Sequence, residues 1–116
     1  MLIEPIQGRG GICVPPPDFL KTLRAFCDEE KILLIADEVF TGFGRTGSMF
    51  ASTGFGVTPD VLISAKGVTS GYLPLGVVLF KEEIFQTFIA TGDDYAFWHG
   101  YTYTGHPTVC AAGLAS

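Results

Sequence analysis

Apolar side chains at Phe19, Leu20, Leu23, Phe26 and Cys27 recur at three- and four-residue intervals and share one face of a helix. Pro15-Pro16-Pro17 precede that run and Asp18 sits in its first turn, which suits a helix start. The helix is expected to end near Lys31. From Ile32 to Ala36 every position is apolar, with no alternation, which predicts a central parallel strand buried on both faces. Asp60 to Ser64 reads as a second short strand and Gly76 to Phe80 as a third. Lys81 to Ala90 has helical spacing with Ile84, Phe85 and Phe88 on one side, and Pro107 opens a last helix. Residues 5 to 17 and 41 to 59 are rich in Gly and Pro or irregular, and read as loops. Met1-Leu2-Ile3 runs straight into Glu4-Pro5 and reads as the tail of a strand. Strands alternating with helices predict an α/β fold, a mainly parallel sheet flanked by helices. Ligands in such sheets collect at the carboxyl ends of the strands. Asp37 ends the first complete strand and Lys66 lies just beyond the second, so both are expected to point into one crevice.

The length of 116 residues allows one domain at most. Hydrophobic residues are 47% and charged residues 16%, below the usual quarter, so part of the surface is expected to be covered by more chain or by another subunit. A net charge of −5 with no basic run excludes nucleic acid as a natural partner. The longest apolar run is far short of the roughly 20 residues of a membrane span, and no secretory signal pattern opens the chain. Cys13, Cys27 and Cys110 show no C-x-x-C spacing, which predicts reduced thiols and a cytoplasmic setting.

Two residues carry candidate chemistry. Asp37 follows five apolar residues, and a carboxylate there needs donors or a cation to offset its desolvation. It reads either as a loop cap or as the counter-ion of a buried positive group. Lys66, in Ser64-Ala65-Lys66-Gly67, is the only lysine between Lys31 and Lys81 and has small neighbours. It reads either as a solvated surface lysine or as a desolvated amine able to attack an aldehyde. Gly42-Phe43-Gly44-Arg45-Thr46-Gly47 matches G-x-G-x-x-G, but a dinucleotide loop must join strand directly to helix. Here Glu38 to Thr41 intervene and no strong helix follows, so a glycine-shaped loop beside the site is the better reading. His99 and His106 lack a third partner for a metal. Thr102 and Thr104, within Trp98 to Gly105, offer hydroxyls that suit a phosphate.

Six strings fall in one order: E-P-I-Q-G at 4–8, L-I-A-D-E-V-F-T-G-F-G-R-T-G at 34–47, P-D at 59–60, S-A-K-G at 64–67, S-G-Y-L-P-L-G at 70–76 and H-G-Y-T-Y-T-G-H-P at 99–107. Together they resemble the class III (ornithine/ω-amino acid) aminotransferases, enzymes dependent on pyridoxal 5′-phosphate (PLP). The resemblance implies the large domain of the fold-type I PLP enzymes, with residues 1–116 as its central part and Gly76–Phe80 as an antiparallel strand. It implies that Lys66 is the Schiff-base lysine and proton carrier, that Asp37 pairs with the pyridinium nitrogen and that Val39 packs on one ring face. Thr102 is implied to donate to the cofactor phosphate, usually across a dimer interface, with Glu4 and Gln7 near the ring. The implied partners are an amine donor, a keto acid and a second subunit. Arg9 stands where many members that alternate between ω- and α-amino substrates carry Glu. With G-Y-L-P-L-G and G-H-P, it resembles the branch that passes amino groups from ω-amines or β-alanine to pyruvate. The upstream phosphate cup, the aromatic of the other ring face and the downstream carboxylate-binding arginine have no counterpart in the chain. An aminomutase, racemase or decarboxylase of the same family, or a non-catalytic truncated segment, are the alternatives.

Overall fold

The computed structural model describes residues 1–92 and 97–116. Four strands form one sheet in sequential order: β1 Leu2–Ile3, β2 Ile35–Asp37, β3 Val61–Ser64 and β4 Val77–Phe80. The first three are parallel and β4 runs antiparallel to β3. Among the described residues four helices accompany them: α1 Phe19–Glu29, the single turn α2 Ala51–Gly54, α3 Glu82–Ala90 and α4 Pro107–Ala115. A 3₁₀ turn, Lys66–Thr69, follows β3 directly.

Helix α1 ends where Lys31 turns left-handed at φ 56°, which lets the Ile32 N–H reach back to the Cys27 carbonyl at 2.8 Å. Of its expected apolar face, Leu20 and Cys27 are buried, whereas Phe19 and Phe26 are exposed. Leu20 and Cys27 pack with Leu34 and Val57 into the core, joined at its edge by Ile3, Leu23 and Phe55.

The strand expected over Ile32–Ala36 starts three residues later. Ile32 and Leu33 are exposed. The Leu34 N–H is taken by the Asp60 carboxylate at 2.7 Å, and the Leu34 carbonyl accepts the Asp60 and Val61 N–H groups. Strand pairing therefore begins only at Ile35, opposite Val61. Burial on both faces does not hold either. Ala36 and Leu62, paired across β2 and β3, are buried, while Ile35, Asp37, Val61 and Ile63 are half-buried. Since side chains alternate along a strand, one face of the sheet meets the core and the other, carrying Asp37 and Ile63, lines an open cavity. The irregular stretch 41–59 also contains α2, which its Ser, Thr and Gly content does not announce. No helix among the described residues is long and apolar enough to cross a membrane.

Candidate active site

Asp37 is the last residue of β2, in register with Ile63 of the neighbouring parallel strand. Lys66 begins three residues after Ile63, just past the end of β3. Both residues thus stand at the carboxyl ends of adjacent parallel strands, as the fold rule requires of a ligand site. Asp37 is half-buried, and its Oδ1 accepts the Val39 N–H at 3.0 Å. Among the described residues its second oxygen has no hydrogen bond, so the carboxylate keeps free acceptor capacity. The local cap is thus present, and the free oxygen leaves room for a positive partner.

Lys66 sits at φ 50°, in the left-handed region. For a residue with a Cβ that conformation costs about 1–2 kcal/mol, and such strained positions gather at functional sites. Phe43 at φ 55° and Ser70 at φ 51° share the strain on either side of it. The Lys66 amine lies 6.0 Å from the centre of the Phe40 ring, whose other cationic neighbour is the Arg45 guanidinium at 5.7 Å. The desolvation expected of Lys66 is not supplied by the described residues: its side chain is exposed. It borders a cavity of about 650 Å³ shared with Ala65, Gly71, Tyr72, Pro74 and Gly76.

A second cavity of about 810 Å³ is lined by Val39, Ile63, Ala65, Val77, Tyr101 and Thr104, among others. It runs along the half-buried face of the sheet and places Val39 beside the base of the Lys66 turn. Thr102 does not line it. It lies exposed in the turn Thr102–Gly105, where Thr104 Oγ1 accepts the Tyr101 N–H at 2.9 Å. Asp37 and Lys66 thus stand at neighbouring strand ends, Val39 shares the second cavity with Tyr101, Tyr103 and Thr104, and Thr102 lines neither cavity. Glu4 is spent locally, its Oε2 accepting the Gly8 N–H at 2.9 Å, and Gln7 is exposed, its backbone bridged to Cys13. Gly8 in turn lies against the Phe40 ring, which connects this loop to the Lys66 side of the site.

The glycine-rich loop runs through turns from Gly42 to Gly47 and reaches a helix only at Ala51. Of its glycines, Gly42 serves close packing, whereas Gly44 and Gly47 turn left-handed at φ 84° and 90° with open space at their Cβ positions. His106 precedes α4, and its carbonyl accepts the Cys110 N–H. Among the described residues no three metal-ligating side chains cluster.

Sequence reasoning passed over two buried carboxylates. Glu38 has none of its surface exposed. Asp60 is buried and held by Arg24 at 2.8 Å and Lys81 at 2.6 Å. Burial pushes the Asp60 carboxyl up, but bonds from Lys81, the Leu34 amide and Arg24 outweigh it and hold its pKa at about 2. Arg24 is likewise desolvated, yet its bonds to Asp60 and Asp28 raise its pKa. The usable signal for both was their position: an acid at the lip of an apolar strand, Glu38 just after Asp37 and Asp60 just before Val61.

The residues present fit PLP. An amine on an open cavity, a carboxylate with a free oxygen at the next strand end and an apolar Val39 two residues after that carboxylate suit a flat aldehyde with a basic ring nitrogen.

Comparison with known proteins agrees. Residues 1–116 match the family described as Aminotransferase class-III. The omega-amino acid–pyruvate aminotransferase of Pseudomonas putida is 52% identical over 119 residues, which covers 100% of this chain and 26% of that protein. The beta-alanine–pyruvate aminotransferase of Pseudomonas aeruginosa is 48% identical, over 100% of this chain and 27% of that protein. Among solved structures, a PLP-bound amine transaminase from an uncultivated Pseudomonas species superposes with a TM-score of 0.93 at 55% identity, covering 98% of this chain and 26% of that one. The chain thus spans about a quarter of the length of these relatives. With its fold, its motif order and its full-length match in agreement, the chain belongs to the class III aminotransferases.

Proposed function

We propose that the complete protein is a PLP-dependent aminotransferase that moves an amino group from an ω-amine or ω-amino acid to a keto acid such as pyruvate, and that residues 1–116 are the central part of its cofactor-binding large domain. The observation that carries this is the placement of Lys66 and Asp37 at the carboxyl ends of adjacent parallel strands. The relatives named for ω-amino acid–pyruvate and β-alanine–pyruvate transfer support the substrate class, and so does Arg9 at the position after Gln7-Gly8. Their shared transfer chemistry favours this reading over an aminomutase, racemase or decarboxylase.

When bound, PLP supplies an aldehyde that exchanges amines and a ring that withdraws electrons from the reacting carbon. Lys66 Nζ would hold the cofactor through its aldehyde and would carry the proton to and from the substrate carbon. The left-handed backbone of Lys66 aims its side chain out of the turn, toward the cavity. Asp37 would keep the ring nitrogen protonated by charge pairing, and Val39 would offer an apolar contact to the ring that excludes water. Thr102 would donate to the phosphate from a second copy of the chain. A cytoplasmic, reducing setting suits the three free cysteines.

The test is Lys66→Ala in the complete protein. The visible absorption band of the cofactor is expected to vanish, and alanine formation from an amine donor plus pyruvate to fall by roughly 10²–10⁴-fold or more. A band and turnover that survive the substitution would overturn the assignment.

A further inference from the structure

Glu38 lies between Asp37 and Val39, with its carboxylate wholly buried and in no salt bridge among the described residues. Burying an acid this way requires donors. Three supply them: the Thr41 hydroxyl at 2.6 Å, the Ala51 N–H at 2.9 Å and the Ser52 N–H at 2.7 Å. The main chain of Glu38 is tied as firmly. Its N–H donates to the Ile63 carbonyl at 2.7 Å, and its carbonyl accepts the Gly42 N–H at 2.9 Å and the Ser64 hydroxyl at 3.0 Å.

Ser64 is equally buried and stands two residues before Lys66. The Ser64–Glu38 bond therefore crosses from the strand end that carries the carboxylate to the one that carries the amine. The junction admits nothing more: a Cβ on Gly42 would come within 2.7 Å of Ser64 Oγ and 2.8 Å of the Glu38 carbonyl.

We propose that Glu38 and Ser64 are positioning residues that set the separation of Asp37 and Lys66, and so determine how the cofactor is gripped at its two ends. The inference rests on the function proposed above. A planar ring held at both ends tolerates little error, and a misplacement of about 1 Å can cost roughly 100-fold in rate.

The experiment compares wild type, Ser64→Ala and Glu38→Gln in the complete protein. Ser64→Ala removes one hydroxyl without adding volume. Glu38→Gln offers a single oxygen to three donors and turns its NH₂ toward N–H groups. In both, the dissociation constant for PLP is expected to rise about tenfold, equivalent to ~1.4 kcal/mol. The pH midpoint of the visible cofactor band should move, and kcat should fall by roughly 10–100-fold while KM for the amine stays within about twofold. Melting of the cofactor-free Ser64→Ala protein should drop by only a few degrees. Ser64→Ala decides alone if Glu38→Gln does not fold. Wild-type PLP affinity and an unmoved pH midpoint in Ser64→Ala would show the bonds to be structural only and overturn the inference. A wild-type protein that transfers no amino group would instead sink the proposed function, and this inference with it.

Discussion

Asp60 and Glu38 are both buried acids, and they survive burial by different means. Glu38 relies on hydroxyl and N–H donors, whereas Asp60 is met by two cations and one amide. Lys81, the Leu34 amide and Arg24 together outweigh burial and depress the Asp60 pKa from 3.8 to about 2, so their contribution to stability is complete above the unfolded value. As pH falls from about 4 through about 2, the folded carboxylate takes up a proton and the contribution is lost. Linkage over that interval amounts to about 2 kcal/mol. Asp60→Asn is therefore expected to destabilise the complete protein by about 2 kcal/mol near pH 7, with the gap from wild type narrowing below about pH 4. Urea unfolding at several pH values measures it, and a gap that is constant with pH would rule out the ion pairs as its source. At this scale the sequence showed Asp37 and Lys66 clearly, because each follows a short apolar strand and projects from its end. It could not show the Arg24–Asp60 pair, whose members are 36 residues apart and meet only when α1 docks on the sheet.

Strand and helix order was legible from periodicity, as was the antiparallel last strand through the family resemblance. Boundaries were not, since hydrophobicity alone cannot say where pairing begins. Ile32 and Leu33 are as apolar as Ile35, but the Asp60 carboxylate occupies the Leu34 N–H and delays the ladder. The G-x-G-x-x-G string shows the same limit in another form. Its spacing mimics a phosphate loop, while its first glycine is required because β2, β3 and Phe50 converge on it. A side chain at Gly42 would meet Ser64, the Glu38 backbone and the Phe50 ring at 2.7, 2.8 and 3.3 Å. Two of those contacts are below any real packing distance, and one is with backbone that β2 holds in place. Gly42→Ala is expected to cost about 1–3 kcal/mol or more through overpacking. Gly76, with nothing within 4 Å of its Cβ position, should accept Ala within roughly 0.5 kcal/mol. Thermal melting of the two variants in the complete protein distinguishes them, and equal losses would refute the steric account of Gly42.

The molecule as a whole exposes more than a closed domain of its mass does. Its accessible surface is 8150 Å², against about 6100 Å² for a compact monomer of 12.4 kDa. Its radius of gyration is 15.7 Å, against about 13 Å. Large apolar side chains are exposed along the chain, many of them on late elements. Val78, Leu79 and Phe80 of β4, Phe85 and Phe88 of α3, and Tyr101, Tyr103 and Leu114 beyond them are all exposed. The helical face expected from Ile84, Phe85 and Phe88 exists, and the described residues cover it only in part: Ile84 is half-buried and Phe88 stacks at 5.0 Å on Phe97, but both phenylalanines of the face stay exposed. The low share of charged residues had already pointed to such a surface, since a chain that must meet water on every side carries more charge. An apolar expanse of this kind associates when left bare. The isolated 116-residue chain is therefore expected to bind the dye ANS and to grow in mass with concentration in light scattering, whereas the complete protein should do neither. Loss of the dye signal when more of the protein's own chain is restored would show that the chain itself provides the cover. A monomeric, dye-silent 116-residue chain would mean that β4, α3 and α4 close over one another in solution, and that the half-buried face carrying Asp37 needs no further structure to complete it.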